Sequence, residues 1–293
     1  MNATSQPHIL NPVEACGRSL TFRLVPEADL QAALRRLQQG FRLQWGVVGI
    51  GDAIPQALGR RIRGLRPFPS ITGPAVSIPS TQQALWAMLY GPDRGVVFDA
   101  AESLRALAAP DFVQSDAMDT FVYRGGRDLT GYEDGTENPR GDAAERAAVV
   151  TSEPDPAGSS FVAVQRWVHD LELFRKHTPE ERDKFIGRFI ETNEEMEDAP
   201  SSAHVKRSAQ ESYDPAAFMV RRSMPWAGAF ERGLEFVAYG ESLDRFERVL
   251  RRMAGLDDGI VDALFNFSRP VTGGYYWCPP AAGDRLDLSS LRF

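Results

Sequence analysis

The chain has 293 residues, of which 43% are hydrophobic and 25% charged, and its 33 basic against 40 acidic side chains leave a formal charge of −7 and a pI near 5.3. This is the composition of a globular protein, and its acidic balance excludes general nucleic-acid binding, which needs a basic field to displace counterions from phosphate. Residues 1–13 hold no basic segment followed by an apolar run, no stretch approaches the roughly 18 apolar residues of a membrane span, and Cys16 and Cys278 lie far apart in no metal-ligand spacing. The expectation is a cytoplasmic protein of a reducing compartment, without membrane segment, zinc site or disulfide framework.

In chain order, Ser19 to Val25 alternates polar and apolar side chains as a strand does. Glu27 to Gln39 carries Leu30, Ala33, Leu34 and Leu37 at helical spacing and stops at Gly40. Trp45 to Ile50 reads as a strand; the glycines around it, Gly46, Gly49 and Gly51, do not match the G-x-G-x-x-G of a dinucleotide site. Ser80-Thr81-Gln82-Gln83 reads as a capping box opening a helix over Ala84 to Tyr90, and Gly95 to Phe98 as a strand. Glu137 to Gly158 is rich in Pro, Gly, Asp and Ala and reads as a long irregular connection, with the chain dividing near residues 125–140. The second half repeats the theme: a strand over Phe161 to Val168, a helix opened by Thr178-Pro179-Glu180-Glu181, strands over Ala217 to Arg222 and Glu235 to Tyr239, an amphipathic helix over Glu241 to Ala254, and an aromatic strand over Gly274 to Cys278. Strands and helices mixed without strict alternation predict an α+β fold, with antiparallel sheets covered by helices.

Three segments can carry chemistry. In Gly131-Tyr132-Glu133-Asp134-Gly135-Thr136-Glu137-Asn138-Pro139 the glycines let backbone approach a ligand closely, so Asp134 either faces a planar cofactor or sits in a plain Asp-Gly turn. Histidine is scarce. His8 falls in an N-terminus expected to be mobile, His177 in a charged surface stretch, and His169 at a strand end beside Asp170, where a structural role is the better reading. His204, in Ser201-Ser202-Ala203-His204-Val205-Lys206-Arg207, is either structural or a metal ligand whose second ring nitrogen needs an acceptor. In Val220-Arg221-Arg222-Ser223, paired arginines on a strand place one side chain inward, where it needs an anionic partner or a site of developing charge.

Together these segments resemble the dye-decolorising peroxidases, and more closely their B-type bacterial group. Gly131 to Gly135 fits the G-x-x-D-G motif, and Thr136 to Pro139 its B-type extension. Ile186-Gly187-Arg188 precedes Ser202-Ala203-His204-Val205, which resembles the proximal ligand motif. Arg221-Arg222-Ser223-Met224-Pro225 resembles the distal arginine strand, and Thr272-Gly273-Gly274-Tyr275 the closing strand. The resemblance implies two ferredoxin-like halves of the dimeric α+β barrel type, residues 1–130 and 131–293, the second binding haem b. It implies a peroxidase that reduces hydrogen peroxide through a ferryl intermediate and oxidises small phenolic or dye-like donors, with His204 on the iron, Asp134 as proton shuttle and Arg221 stabilising the developing charge. Ser223 stands where related proteins often carry Asn, and is expected to assist. Thr136, Glu137, Arg188, Arg207 and Arg221 are expected near the cofactor, and Trp167, Tyr213, Trp226 or Tyr239 as electron relays. Asp262, Asn266 and Asp214 are the candidates for the acceptor of the His204 hydrogen bond. The resemblance further implies a homo-oligomer and, through the tail Leu286 to Phe293, a docking peptide for an encapsulating protein shell, although an ordered terminus is the better expectation. A haem-handling protein of the same fold, or a cofactor-free binding module, are the alternatives.

Overall fold

The computed structural model describes residues 4–151 and 157–293. Its frame is a 10-stranded antiparallel sheet of β1 (Cys16–Leu24), β2 (Gly46–Ile50), β3 (Leu85–Gly91), β4 (Phe112–Phe121), β5 (Ser160–His169), β6 (Val220–Arg221), β7 (Met224–Ala227), β8 (Arg232–Gly240), β9 (Ser268–Pro270) and β10 (Gly274–Cys278). The strands run in the order β4-β1-β3-β2-β10-β5-β8-β6, with β9 on β5 and β7 on β8. Strands of the first half therefore lie together and meet those of the second where Ile50 on β2 faces Trp277 on β10. The sheet curls until β7 reaches β4, where the Thr120 hydroxyl contacts Met224 Sδ at 3.4 Å.

Side chains alternate across a strand, so the curled sheet sorts its apolar residues into two cores. Val47, Trp86, Met88, Val162, Val237 and Tyr276 fill one face. Leu20, Phe22, Leu85, Ala87 and Leu89 fill the other, under helices α1 (Leu30–Gly40), α2 (Arg94–Ala108) and α7 (Leu243–Met253). Between α2 and α7 lie α3 (Asp142–Ala148), α4 (Leu171–Lys176), α5 (Pro179–Ile186) and α6 (His204–Ser208). The helix signals work as expected: Leu30, Ala33, Leu34 and Leu37 of α1 are buried, and the reciprocal capping box of Thr178 and Glu181 starts α5. On α7, Leu243, Phe246, Val249, Leu250 and Met253 are buried, each of the order of 1.5–3 kcal/mol if fully withdrawn from water. Among the described residues no helix is long and apolar enough to cross a membrane.

Four local expectations are overturned. Ala84 to Tyr90 holds a strand, β3, buried along its whole length, and a fully buried strand has no polar face to distinguish it from a helix. The polar residues before it reach across to the segment of β10 instead of capping a helix: Thr81 Oγ accepts from Gly273 N at 3.1 Å and Gln82 Oε1 from Tyr275 N at 2.8 Å. Gly95 to Phe98 is the first turn of α2, because Asp93 Oδ1 accepts from the backbone N–H groups of Gly95 and Val96. The connection from Glu137 contains helix α3, whose Ala144, Ala147 and Ala148 are buried; residues 152–156 of that connection lie outside the described residues. His8 is buried and stacked on Tyr90 with ring centroids 5.1 Å apart, since the Gln6 side chain bonds Val48 and Pro279 and draws the N-terminal segment in. At the other end Leu286, Leu288 and Leu291 are buried, so the apolar side chains of the expected docking tail pack into the core.

Candidate active site

One apolar cavity lies between β5, β8 and α7, walled by Trp167, Leu234, Phe236, Phe246, Leu250 and Met253. Three functional side chains from distant parts of the chain reach it: Asp134, His204 and Arg221.

His204 opens the short helix α6. Its approach is set by Gly187 in the left-handed conformation at the end of α5, where an added Cβ would come within 2.3 Å of Val205. Ala263 N donates to Ser202 O at 2.7 Å, and Ser208 Oγ donates to His204 O at 2.7 Å. The decisive contact is His204 Nδ1 to Asp262 Oδ2 at 2.8 Å. Asp262 is fully buried, and its other oxygen accepts from Leu264 N at 2.8 Å, so the carboxylate is held from both sides. This assigns the proton to Nδ1 and leaves the Nε2 lone pair for a ligand in the cavity, the arrangement in which a carboxylate orients a metal-binding imidazole. Of the candidate acceptors, Asp262 holds the bond; Asn266 lines a different pocket.

Asp134 sits in a tight loop. Gly135 is in the left-handed region with φ +72, and a Cβ there would meet Asn138 Nδ2 at 2.8 Å. Burial pushes the Asp134 carboxyl above the usual range, Arg221 opposes that rise, and the nearby Asp128 charge adds to it. The net direction is upward, so desolvation outweighs the attraction to Arg221.

Arg221 lies on β6 opposite Ala238 of β8, and its buried Nε has no partner. Its backbone is gripped by Asn138: Arg221 N donates to Oδ1 at 2.8 Å and Nδ2 donates to Arg221 O at 3.0 Å. A side-chain amide thus does what a neighbouring strand would do, and ties the loop of Asp134 to the strand of Arg221. Asn138→Ala is expected to cost about 1–3 kcal/mol in thermal or urea unfolding.

Ser223, Arg207, Arg188, Thr136 and Glu137 do not line the cavity. Ser223 Oγ accepts from Val237 N at 3.3 Å, turned onto the backbone of β8. Arg207 is committed to Asp258 by two contacts of 2.7 Å and to Arg252 O at 2.6 Å, which brings Asp258 down to about 2 and makes Arg207 a brace for α6. Arg188 contacts Glu137 at 2.7 Å and donates to Asn193 O at 2.9 Å, and Asn193 Nδ2 reaches Thr136 Oγ1 at 3.0 Å and Glu133 at 2.9 Å. Thr136, Glu137 and Arg188 therefore join the loop of Asp134 to residues 187–195. Of the expected relays, Trp167 is in the cavity wall and Trp226 Nε1 donates to its carbonyl at 3.1 Å, while Tyr239 is buried in the other core.

Sequence reasoning missed Asp128, Gln165 and His169, all in the cavity wall, as well as the grip of Asn138. A signal was present: Gln165, Trp167 and His169 are alternate residues of β5 and so share one face.

A carboxylate-anchored imidazole and an acid–arginine pair thus line one apolar cavity in an antiparallel α+β fold. The chain belongs to the Dyp-type peroxidase family: the family model for the C-terminal part of these peroxidases matches residues 125–283. It is 34% identical over 274 residues to a dye-decolorizing peroxidase of Rhodococcus erythropolis, covering 88% of this chain and 80% of that protein. Among solved structures it is similar to a dye-decolorizing protein of Vibrio cholerae, with TM-score 0.84 and 27% identity over 92% of this chain and 95% of that one. It is equally similar in identity to a variant of Rhodococcus jostii DypB solved in complex with haem, at TM-score 0.86 over 92% of this chain and 94% of that one.

Proposed function

We propose that this peroxidase holds haem b in the cavity, with His204, through Nε2, as the residue that would hold the iron and Asp134 and Arg221 as the residues that would meet peroxide. The single observation that carries this reading is that the Asp262-anchored His204 and the Asp134–Arg221 pair line one apolar cavity. The residues fit the group: the walls are apolar, the imidazole has a free nitrogen facing in, and the buried Arg221 Nε and Gln165 Nε2 lack protein partners. When bound, haem supplies cleavage of the O–O bond and storage of the oxidising equivalents.

The chain does the rest. His204 holds the iron, and Asp262 sets the electron richness of its imidazole. Asp134 takes the proton from the inner oxygen of hydrogen peroxide and returns it to the outer one, which leaves as water. Arg221 stabilises the charge that builds on the leaving oxygen, in surroundings of low dielectric. Small phenolic or dye-like donors then restore the resting protein. Residues 131–293 supply all of these groups and are assigned as the haem-binding half, with residues 1–130 as its partner half.

The test is to reconstitute the purified protein with haemin and add peroxide and a phenolic dye. A Soret band that responds to peroxide, dye oxidation and an intact porphyrin are expected. No Soret band overturns the reading, and release of iron or a ring-opened tetrapyrrole identifies a haem-handling protein instead.

A further inference from the structure

We propose that a second pocket, separated from the haem cavity by His169, binds neutral phenolic donors and passes their proton inward along Ser268, His169 and Asp128. The proposal rests on the peroxidase reading above.

The pocket has a volume of about 470 Å³, within the range of small-molecule sites. Phe230, Phe265 and Phe267 line it, and Phe230 is 91% exposed. Its charged residues balance: Arg175, Arg232 and Arg269 face Asp170, Glu172 and Glu231. Aromatic surface with no net charge suits a neutral arene better than an ion.

His169 lines both this pocket and the haem cavity. Its Nδ1 is 2.6 Å from Ser268 Oγ, in the pocket wall, and its Nε2 is 3.0 Å from Asp128 Oδ1, in the cavity wall. The other Asp128 oxygen accepts from Thr130 N at 2.7 Å and Thr130 Oγ1 at 2.6 Å. Burial pushes Asp128 up, but the positive charge and hydrogen bond of His169 and the bonds from Thr130 outweigh it and hold the carboxyl below its ordinary range. An ionised Asp128 accepts only, so Nε2 donates to it, and in the neutral imidazole Nδ1 is left to accept from the Ser268 hydroxyl. The three groups form one continuous donor–acceptor chain from pocket to cavity. A second contact crosses the same wall: Phe265, in the pocket, packs on Trp167, in the cavity, with ring centroids 5.3 Å apart.

Oxidising a phenol removes an electron and a proton, and this wall offers a way in for each. A phenol donates its O–H to Ser268 Oγ. As its electron crosses to the oxidising equivalent that peroxide has left in the cavity, its O–H bond breaks and the proton joins Ser268 Oγ. The Ser268 proton moves to His169 Nδ1, and the Nε2 proton moves to Asp128. One phenoxyl radical and one protonated Asp128 result. Asp128 then releases its proton into the cavity and the relay returns to its starting arrangement, so that two such transfers deliver the two protons and two electrons that turn one peroxide into two waters.

The test uses 4-fluorophenol, followed by fluorine NMR on protein with and without haem, and compares phenol turnover with that of ferrocyanide, which gives up an electron but no proton. Leu173→Trp, on a half-exposed lining residue, should fill the pocket and weaken fluorophenol binding about tenfold. Ser268→Ala should leave fluorophenol binding largely intact but lower the ratio of phenol to ferrocyanide turnover about tenfold. Ser268→Thr, which keeps a hydroxyl, should restore that ratio. If binding is indifferent to Leu173→Trp, or if the turnover ratio is unchanged in Ser268→Ala, the donor pocket is wrong. A wild-type protein that takes up no haem, or oxidises neither donor, sinks the peroxidase reading instead, and the fluorine signal of the haem-free protein keeps the two failures apart.

Discussion

His204→Gly is expected to abolish the haem–histidine spectrum and lower peroxidase turnover by about a thousandfold or more, because it deletes a cavity-lining imidazole whose Nδ1 is anchored by Asp262 and whose Nε2 is left for a ligand. His169 also lines the cavity, but both its ring nitrogens are engaged, by Ser268 and Asp128, so it is no ready substitute. Added imidazole should occupy the space and restore part of the spectrum, which separates lost ligation from a misfolded protein. Asp262→Asn is a finer probe. The amide can still accept from Nδ1, but it carries no charge, so the imidazole becomes a weaker donor and the iron potential rises. Turnover should fall on the order of tenfold to a hundredfold with the Soret band retained. An unchanged potential in Asp262→Asn, or an unchanged ferric spectrum in His204→Gly, would remove His204 from the iron.

The second large effect belongs to the acid–arginine pair. Arg221→Ala should slow the reaction of the haem-loaded protein with peroxide about 10²- to 10³-fold, since a positive group aimed at developing charge in a dry site contributes on that scale. Asp134→Asn removes the proton acceptor and should cost about 10²- to 10⁴-fold. The pH profile tells the two roles apart. Asp134 must be ionised to accept a proton, and burial raises its pKa, so the rate should fall with decreasing pH at a midpoint above the ordinary aspartate value of about 3.9. Arg221 opposes that rise, so Arg221→Ala should move the midpoint further up as well as lower the plateau. A variant with the lower plateau and an unmoved midpoint would mean that Arg221 does not act on Asp134.

Much of this site could be read from the chain alone, for reasons that differ by residue. Asp134 and Arg221 lie in short segments whose glycines, asparagine and paired arginines are unusual together, and His204 is one of only four histidines. Asp262 could be shortlisted but not chosen, because the choice depends on a backbone path that brings Asp262 N within 2.8 Å of Met253 O and Ala263 N within 2.7 Å of Ser202 O. Ser223 is singled out by the resemblance alone; β6 ends at Arg221, and two residues on the hydroxyl turns to Val237 N and away from the cavity. Arg207 looked like a cofactor residue because nothing in the sequence announces its contact with Asp258, 51 residues away. At the level of elements, α+β emerged from mixed periodicities, whereas β3 was mistaken for a helix because burial on both faces erases its period.

The alternation along β5 has a consequence for how this gene can change. Gln165, Trp167 and His169 face the haem cavity, while Val162 and Val164 belong to the opposite core. Exchange of one side chain disturbs one compartment. Insertion or deletion of one residue shifts everything beyond it to the other face and damages both. The strand should therefore accept point substitutions in a mutational library far more readily than single-codon insertions.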